Sequence, residues 1–312
     1  MLEKKRGKER IVYLDGRFVP ESQAKISIFD TAFHNAYMVH EAIRTFNGKL
    51  FKLEQHTDRL FRSLRCARID AAMSPSEMKK ISLEVLEANQ HLLGENDDYW
   101  IYQHVSAGVV PEFRYEDRTY KDSTVIIYCW TLPFEAYARY YEVGAHAITP
   151  WVRRISPQCV DPKIKTCSRM DLNLGTREAK LIDPDGYCLL LDEQTNVAEG
   201  DGYNFFIVSK GVLRTPSLRN VLGGISRETV IELAKEMKIS VEETNIQTYD
   251  VYNADEAFFT ATSYCILPVT KFNGIQIGQG KPGLLTKRLL EAWSNKVGIN
   301  IVKQPLSHLE EK

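Results

Sequence analysis

Cysteine is sparse in this chain of 312 residues and never falls into a C-x-x-C spacing. The six (Cys66, Cys129, Cys159, Cys167, Cys188, Cys265) are scattered. That pattern argues against a zinc ribbon or a disulfide framework and fits a reduced, cytoplasmic setting. No apolar run approaches the roughly 18 residues that span a bilayer, and no apolar stretch follows the charged N-terminus, so neither a membrane span nor a secretory signal is expected. An excess of charge is missing too. The formal net charge is -1, which points away from nucleic acid and from anionic lipid surfaces. The one basic run, Lys4, Lys5, Arg6, Lys8 and Arg10, reads as a solvated terminus. The seven histidines form neither H-E-x-x-H nor a comparable metal spacing, so no metal site is expected. There is no internal repeat and no low-complexity segment.

What is present is enough for two domains and sizeable cores, with 44% hydrophobic residues. Asp15-Gly16, Asn47-Gly48 and Asn273-Gly274, each flanked by alternating residues, predict three hairpins, the first closed by a type I′ turn. Apolar spacing predicts a helix from Leu53 to about Arg68. Ser74-Pro75-Ser76-Glu77 reads as a capping-box start of a second helix, to about Leu93. Strands are expected at Tyr99–Ser106 and Ser123–Trp130. Residues 131–145 lack a period and read as a connection. Beyond them the pattern predicts strands at Ala145–Val152, Cys188–Asp192, Ser240–Asn245 and Glu256–Ala261, and a hairpin of Asn204–Ser209 with Gly211–Thr215. Helices are expected at Met170–Lys180 and Ser226–Met237, with a last one opened by Pro282. The expected domains are 1–130 and 146–312, in an α+β chain.

Three features carry chemistry. Lys163 and Lys165 lie just upstream of a helix. Glu199 precedes Gly200-Asp201-Gly202, where glycines let the backbone turn tightly and approach something flat. Leu222-Gly223-Gly224-Ile225-Ser226-Arg227 opens a helix, whose free N–H groups and dipole make an anion site. Thr262 at a strand end and Arg59 in H-T-D-R-L could add donors. Taken singly, each has a plain alternative: solvated lysines, a surface glutamate, a serine N-cap.

Together, E-G-D-G-Y-N-F-F, G-V-L-R-T-P, L-G-G-I-S-R-E-T-V-I-E-L-A and A-D-E-A-F-F-T-A-T resemble the class IV (fold type IV) pyridoxal-phosphate aminotransferases. The N-terminal run with E-A-I-R-T-F-N-G-K-L-F-K-L-E-Q-H-T-D-R-L is similar to that family's small domain. The resemblance spans roughly residues 11–295. It implies a small N-terminal α/β sandwich and a larger domain with a barrel-like sheet. It also implies pyridoxal 5′-phosphate as cofactor, a homodimer, and an amino donor and an α-keto acid as substrates.

Carried over by residue, the resemblance implies Lys165 as the Schiff-base lysine, thirteen residues before Glu178, and Glu199 as the partner of the pyridine nitrogen. Arg59, Gly224, Ile225, Ser226 and Thr262 are implied at the phosphate, and Leu222 against the cofactor ring. Asn35, His40, Tyr102, Arg169 and Ser263 are the candidates facing substrate.

The departures concern substrate. S-R-M-D-L stands where branched-chain enzymes carry N-Y-L, and Ser106-Ala107-Gly108 where D-amino acid and (R)-amine enzymes often carry T-R-G. Arg169 or Arg114 could instead receive the substrate carboxylate. The implied activity is transfer of an amino group from a hydrophobic amino acid, of branched-chain or D type, or from an (R)-amine, to pyruvate or 2-oxoglutarate. A lyase of the aminodeoxychorismate lyase type and a non-catalytic cofactor-binding protein are the alternatives.

Overall fold

The computed structural model describes residues 9–119 and 121–310; Lys4, Lys5, Arg6 and Lys8 of the basic run lie outside them. The chain divides into two units. One is Met1–Leu132 with Ile164–Ser168, and the other is Pro133–Lys163 with Arg169–Lys312.

The first unit is built on a six-stranded antiparallel sheet. Its elements are β1 (Ile11–Leu14), β2 (Arg17–Pro20), α1 (Thr31–Asn35), β3 (Met38–Phe46), β4 (Lys49–Leu50), α2 (Leu53–Ala67), α3 (Pro75–Asn89), β5 (Tyr99–Ser106) and β6 (Thr124–Thr131). The strand order is β2-β1-β6-β5-β3-β4. Both hairpins close as their sequences predict. Asp15 and Gly16 have φ of 49° and 95°, and Asn47 and Gly48 of 50° and 71°, the left-handed pair that a type I′ turn requires.

α3 starts on the expected capping box. The Ser74 hydroxyl accepts the Glu77 N–H and the Glu77 carboxylate accepts the Ser74 N–H. It ends at Asn89 because the next three residues tighten into a 3₁₀ turn. Along β3 and β5 side chains alternate between faces. Val39, Tyr99, Ile101 and Val105 join Leu60 and Leu64 of α2 and Met78, Val85 and Leu86 of α3 in one core. Each fully buried aliphatic side chain there contributes about 1.5–3 kcal/mol. The other face carries His40, Tyr102, His104 and Tyr128.

The second unit holds α4 (Tyr140–Val143), β7 (Ala145–Ile148), α5 (Met170–Ile182), β8 (Tyr187–Cys188), β9 (Asn204–Ser209), β10 (Val212–Pro216), α6 (Ile225–Glu236), β11 (Val241–Thr244), α7 (Thr248–Tyr252), β12 (Glu256–Ala261), β13 (Cys265–Phe272), β14 (Ile275–Gln276), α8 (Leu284–Val297) and α9 (Lys303–Glu310). Its sheet runs β11-β10-β9-β12-β13-β7-β8, with β14 on β13. It is mixed: β10–β11, β13–β7 and β7–β8 pair in parallel. α6 and α8 both pack on β12, whose Phe258 and Phe259 are fully buried.

Several boundaries differ from the sequence reading. β7 stops at Ile148, two residues before Pro150, which cannot donate to a ladder. The strand expected to reach Asp192 ends at Cys188. α6 begins at Ile225 with Gly224 as its N-cap, so Ser226 lies inside the first turn and the serine-cap alternative is corrected. α9 follows the helix expected to be last. Of residues 131–145, expected as a connection, 131 and 132 fall in the first unit and 133–145 in the second, burying Phe134, Tyr137, Tyr140 and Tyr141. Ile164–Ser168, expected inside the second domain, belongs with the first unit because it pairs with β3.

Candidate active site

In the first unit, the Lys165 segment is laid along the start of β3. The Cys167 N–H donates to the Met38 carbonyl at 3.1 Å, and the His40 N–H donates to the Lys165 carbonyl at 3.0 Å. Thr166 bridges Val39, and the Lys165 N–H donates to Ser63 Oγ at 3.1 Å. Because Thr166 pairs with core-facing Val39, Lys165 and Cys167 alternate onto the face of His40. Cys167 Sγ lies 3.1 Å from His40 Nδ1 and 4.0 Å from His104 Nδ1. His104 Nε2 is 3.3 Å from the Tyr128 hydroxyl, and Tyr102 stacks on Tyr128 with ring centroids 5.1 Å apart. Lys163, by contrast, is exposed and paired with Asp161 at 3.1 Å.

Burial, reinforced by the Lys165 charge, pushes the His104 imidazole down to about 4. His104 is therefore uncharged at neutral pH. A stability consequence follows by linkage. An imidazole kept neutral in the fold takes up its proton more readily in the unfolded chain. Its contribution is complete above about pH 6.5, the ordinary histidine value, and is lost as pH falls toward about 4. His56 is shifted the same way, by burial first. Replacing His104 with phenylalanine should flatten the fall of Tm across that window; a slope identical to the parent would show that His104 does not carry it.

Arg59, on α2, is buried. Its Nε donates to Glu41 Oε2 at 2.8 Å and its Nη2 to Glu41 Oε1 at 2.6 Å. His56 Nδ1 is 3.5 Å from the same carboxylate. Burial alone would raise the Glu41 carboxyl, but Arg59 and His56 outweigh it and hold it well below the usual carboxylate range. The guanidinium is thus fixed in one rotamer by a two-point pair with Glu41. Glu41 was not among the expected site residues. The signal for it was the alternation of β3, which turns Glu41 toward α2, and the i, i+3 spacing of His56 and Arg59, which share a helix face.

In the second unit, Glu199 is presented by a backbone pair. The Ala198 N–H donates to the Leu190 carbonyl and the Leu190 N–H to the Glu199 carbonyl. The buried carboxylate accepts from Arg154 Nε at 3.0 Å, from the Leu222 N–H at 2.9 Å and from Asn204 Nδ2 at 3.4 Å. Arg154 Nη1 donates in turn to Asp171 Oδ2 at 2.6 Å. Glu178, which the sequence used only as a spacing mark, accepts the Trp151 and Val152 N–H groups and so ties down the loop leading to Arg154. The flat object that Gly200 approaches is the Tyr203 ring: a Cβ on Gly200 would lie 2.0 Å from it. Gly224 is likewise required, since its Cβ would lie 2.1 Å from Asn204 Oδ1.

The α6 N-terminus receives no side-chain cap. The Ser226 and Thr262 hydroxyls make no hydrogen bond among the described residues, and Thr260 Oγ1 is buried without a partner. Uncapped first-turn N–H groups next to a glycine cap suit a phosphate. A buried carboxylate locked by an arginine suits a protonated ring nitrogen. The residues present therefore fit pyridoxal phosphate.

Of the substrate candidates, His40 and Tyr102 share the wall beside Lys165. Asn35 is exposed at the end of α1. Arg169 is ion-paired to Asp201 and Arg114 to Asp122, so each guanidinium already faces a carboxylate. Ser263 sits in the β12–β13 turn with Thr262. Arg154, Asp171 and Asn204 were not anticipated; Arg154 stands eleven residues before Lys165 in a stretch without periodicity.

The chain's own pattern matches that of the class IV amino-transferase family over residues 38–272, and the chain belongs to that family: it is an aminotransferase. Among individual relatives, a putative branched-chain-amino-acid aminotransferase of Methanocaldococcus jannaschii is 35% identical over 93% of this chain and 98% of its own length. D-alanine aminotransferase of Bacillus licheniformis is 29% identical over 92% and 96%. The structure of a T.th. branched-chain amino acid aminotransferase complexed with N-(5′-phosphopyridoxyl)-L-glutamate superposes with a TM-score of 0.81 at 27% identity, covering 93% of this chain and 94% of that one. The fold is that of the fold type IV enzymes, and aminotransferases of this class depend on pyridoxal phosphate.

Proposed function

We propose that this enzyme uses pyridoxal 5′-phosphate to move an amino group from a hydrophobic L-amino acid, of the branched-chain type, to 2-oxoglutarate. Bound, the cofactor supplies an aldehyde that takes the donor's nitrogen and a ring that draws electrons from the donor's α-carbon. Lys165 Nζ would hold that aldehyde and, as a free amine, would take the proton from the donor's α-carbon. Glu199 would hold a proton at the pyridine nitrogen, and Arg154, paired with that carboxylate at 3.0 Å, keeps it aimed. Leu222 packs on the ring. Arg59, Gly224, Ile225, Ser226 and Thr262 hold the phosphate.

The observation that carries this reading is the buried Glu199 carboxylate, held by Arg154, Asn204 and the Leu222 amide. The donor class is supported by the largely aromatic wall of His40, Tyr102, His104 and Tyr128, in which burial keeps His104 neutral. It is supported also by the branched-chain name of the Methanocaldococcus jannaschii relative. The six free cysteines fit a cytoplasmic enzyme, and the family resemblance supports a homodimer.

The test is a donor panel of L-leucine, D-alanine and (R)-1-phenylethylamine against pyruvate and 2-oxoglutarate. L-leucine with 2-oxoglutarate should give the highest kcat/KM, with ping-pong kinetics. A higher value for D-alanine would overturn the donor assignment. A donor given alone should leave the cofactor in its amine form; failure to do so would favour a lyase.

A further inference from the structure

The three-residue turn from β12 to β13 is Thr262, Ser263 and Tyr264, closed by the pairing of Ala261 with Cys265. Cys265 has a φ of 61°, in the left-handed region that a non-glycine side chain seldom adopts. Such a conformation persists only where its surroundings fix it. Here the fixing comes from residues 133–145. The Tyr137 hydroxyl donates to the Ser263 carbonyl at 3.0 Å, and the Tyr141 hydroxyl to the Tyr264 carbonyl at 2.6 Å. Both tyrosines are buried, at 4% and 5% exposure. The Tyr137 ring also meets the Tyr264 ring edge-on, with centroids 5.6 Å apart.

Two successive carbonyls of one turn are therefore pinned from one segment. A trans peptide sets its carbonyl and its N–H on opposite sides, and none of the described peptide bonds is cis. Drawing the Ser263 carbonyl to Tyr137 turns the Tyr264 N–H away from Tyr137. Neither that amide nor the Thr262 amide has a hydrogen-bond acceptor among the described residues.

We propose that Tyr137 and Tyr141 are positioning residues for oxyanion recognition: they fix the Ser263–Tyr264 and Tyr264–Cys265 peptide planes, and with them the course of the turn, so that the Tyr264 amide and the Thr262 hydroxyl meet an oxyanion. That oxyanion is the cofactor's phosphate or the amino acid's carboxylate. The inference rests on the reading given under Proposed function. It gives the 133–145 segment a part in the reaction without touching substrate.

Tyr137→Phe and Tyr141→Phe each keep the ring and delete one hydroxyl. Two affinities are measured by binding, so neither depends on turnover: that of the holoenzyme for 4-methylvaleric acid, a carboxylate without an amine, and that of the apoenzyme for pyridoxal phosphate. Each variant should weaken one of them by about ten-fold, the scale of a misaligned hydrogen bond, with kcat within about three-fold of the parent at saturating donor and cofactor. Loss in the carboxylate arm assigns the turn to substrate, and loss in the phosphate arm assigns it to cofactor. Both affinities within two-fold of the parent would overturn the proposal, as would a fall in Tm and kcat with both affinities intact. The two variants are independent, so either alone decides the matter if the other fails to fold. A parent enzyme that transfers no amino group would instead refute the functional reading, and the two binding arms would still stand.

Discussion

Alanine in place of Lys165 lowers kcat by at least about 10³-fold, the scale of losing a general acid–base together with its covalent attachment, while Lys163→Ala stays within about two-fold. The two lysines are two residues apart and chemically alike, so only their settings separate them. Lys163 is exposed and its pair with Asp161 is a surface pair, worth little. Lys165 is half-buried and its segment is bonded to β3 through the Met38 carbonyl and the His40 amide. Those bonds are made by the main chain, so Lys165→Ala should retain the parent's Tm within a few degrees, and the lost activity is chemical. Borohydride reduction of the holoenzyme followed by peptide mapping gives a readout independent of turnover. The cofactor's mass should appear on the peptide carrying Lys165. Its appearance on Lys163 would sink the assignment.

The second large effect is at Glu199. Glu199→Gln preserves size and can keep the bond from the Leu222 amide, but it removes the charge that Arg154 and a protonated ring nitrogen both require. We expect kcat to fall about 10²- to 10³-fold, as when one preorganised electrostatic contact is deleted, with a smaller change in cofactor affinity because the phosphate contacts remain. Arg154→Met should act in the same direction and more weakly, since the carboxylate keeps its bonds from Asn204 and the Leu222 amide. A Glu199→Gln enzyme with parental kcat would show that the ring nitrogen is not held by this residue.

What could be read beforehand followed from local chemistry. Asp15-Gly16 and Asn47-Gly48 declare their turns because few other residues tolerate left-handed backbone, and Ser74-Pro75-Ser76-Glu77 declares a helix start because its bonds are made within four residues. The glycines at 200 and 224 were legible as close approaches, although what they approach, Tyr203 and Asn204, was not. What stayed hidden was made at a distance. The partnership of Arg154 with Glu199 and Asp171 joins three segments with no common period. The pairing of Ile164–Ser168 with β3 is a backbone event that leaves no mark on side-chain pattern. Residues 131–145 looked like a linker because their contribution is a few buried tyrosines on irregular backbone rather than a regular element.

That pairing of Ile164–Ser168 also sets an order of events during synthesis. The first unit includes a strand edge whose partner, Ile164–Ser168, ends 36 residues beyond Leu132. A nascent chain that has just released Leu132 therefore displays the Met38 carbonyl and the His40 amide unsatisfied, and an open edge is a template for pairing with another chain. Domains tend to fold as they leave the ribosome, but this one stays unfinished until Ser168 has followed. Completion of the unit and delivery of the lysine are one step, so a chain truncated before Ser168 lacks both.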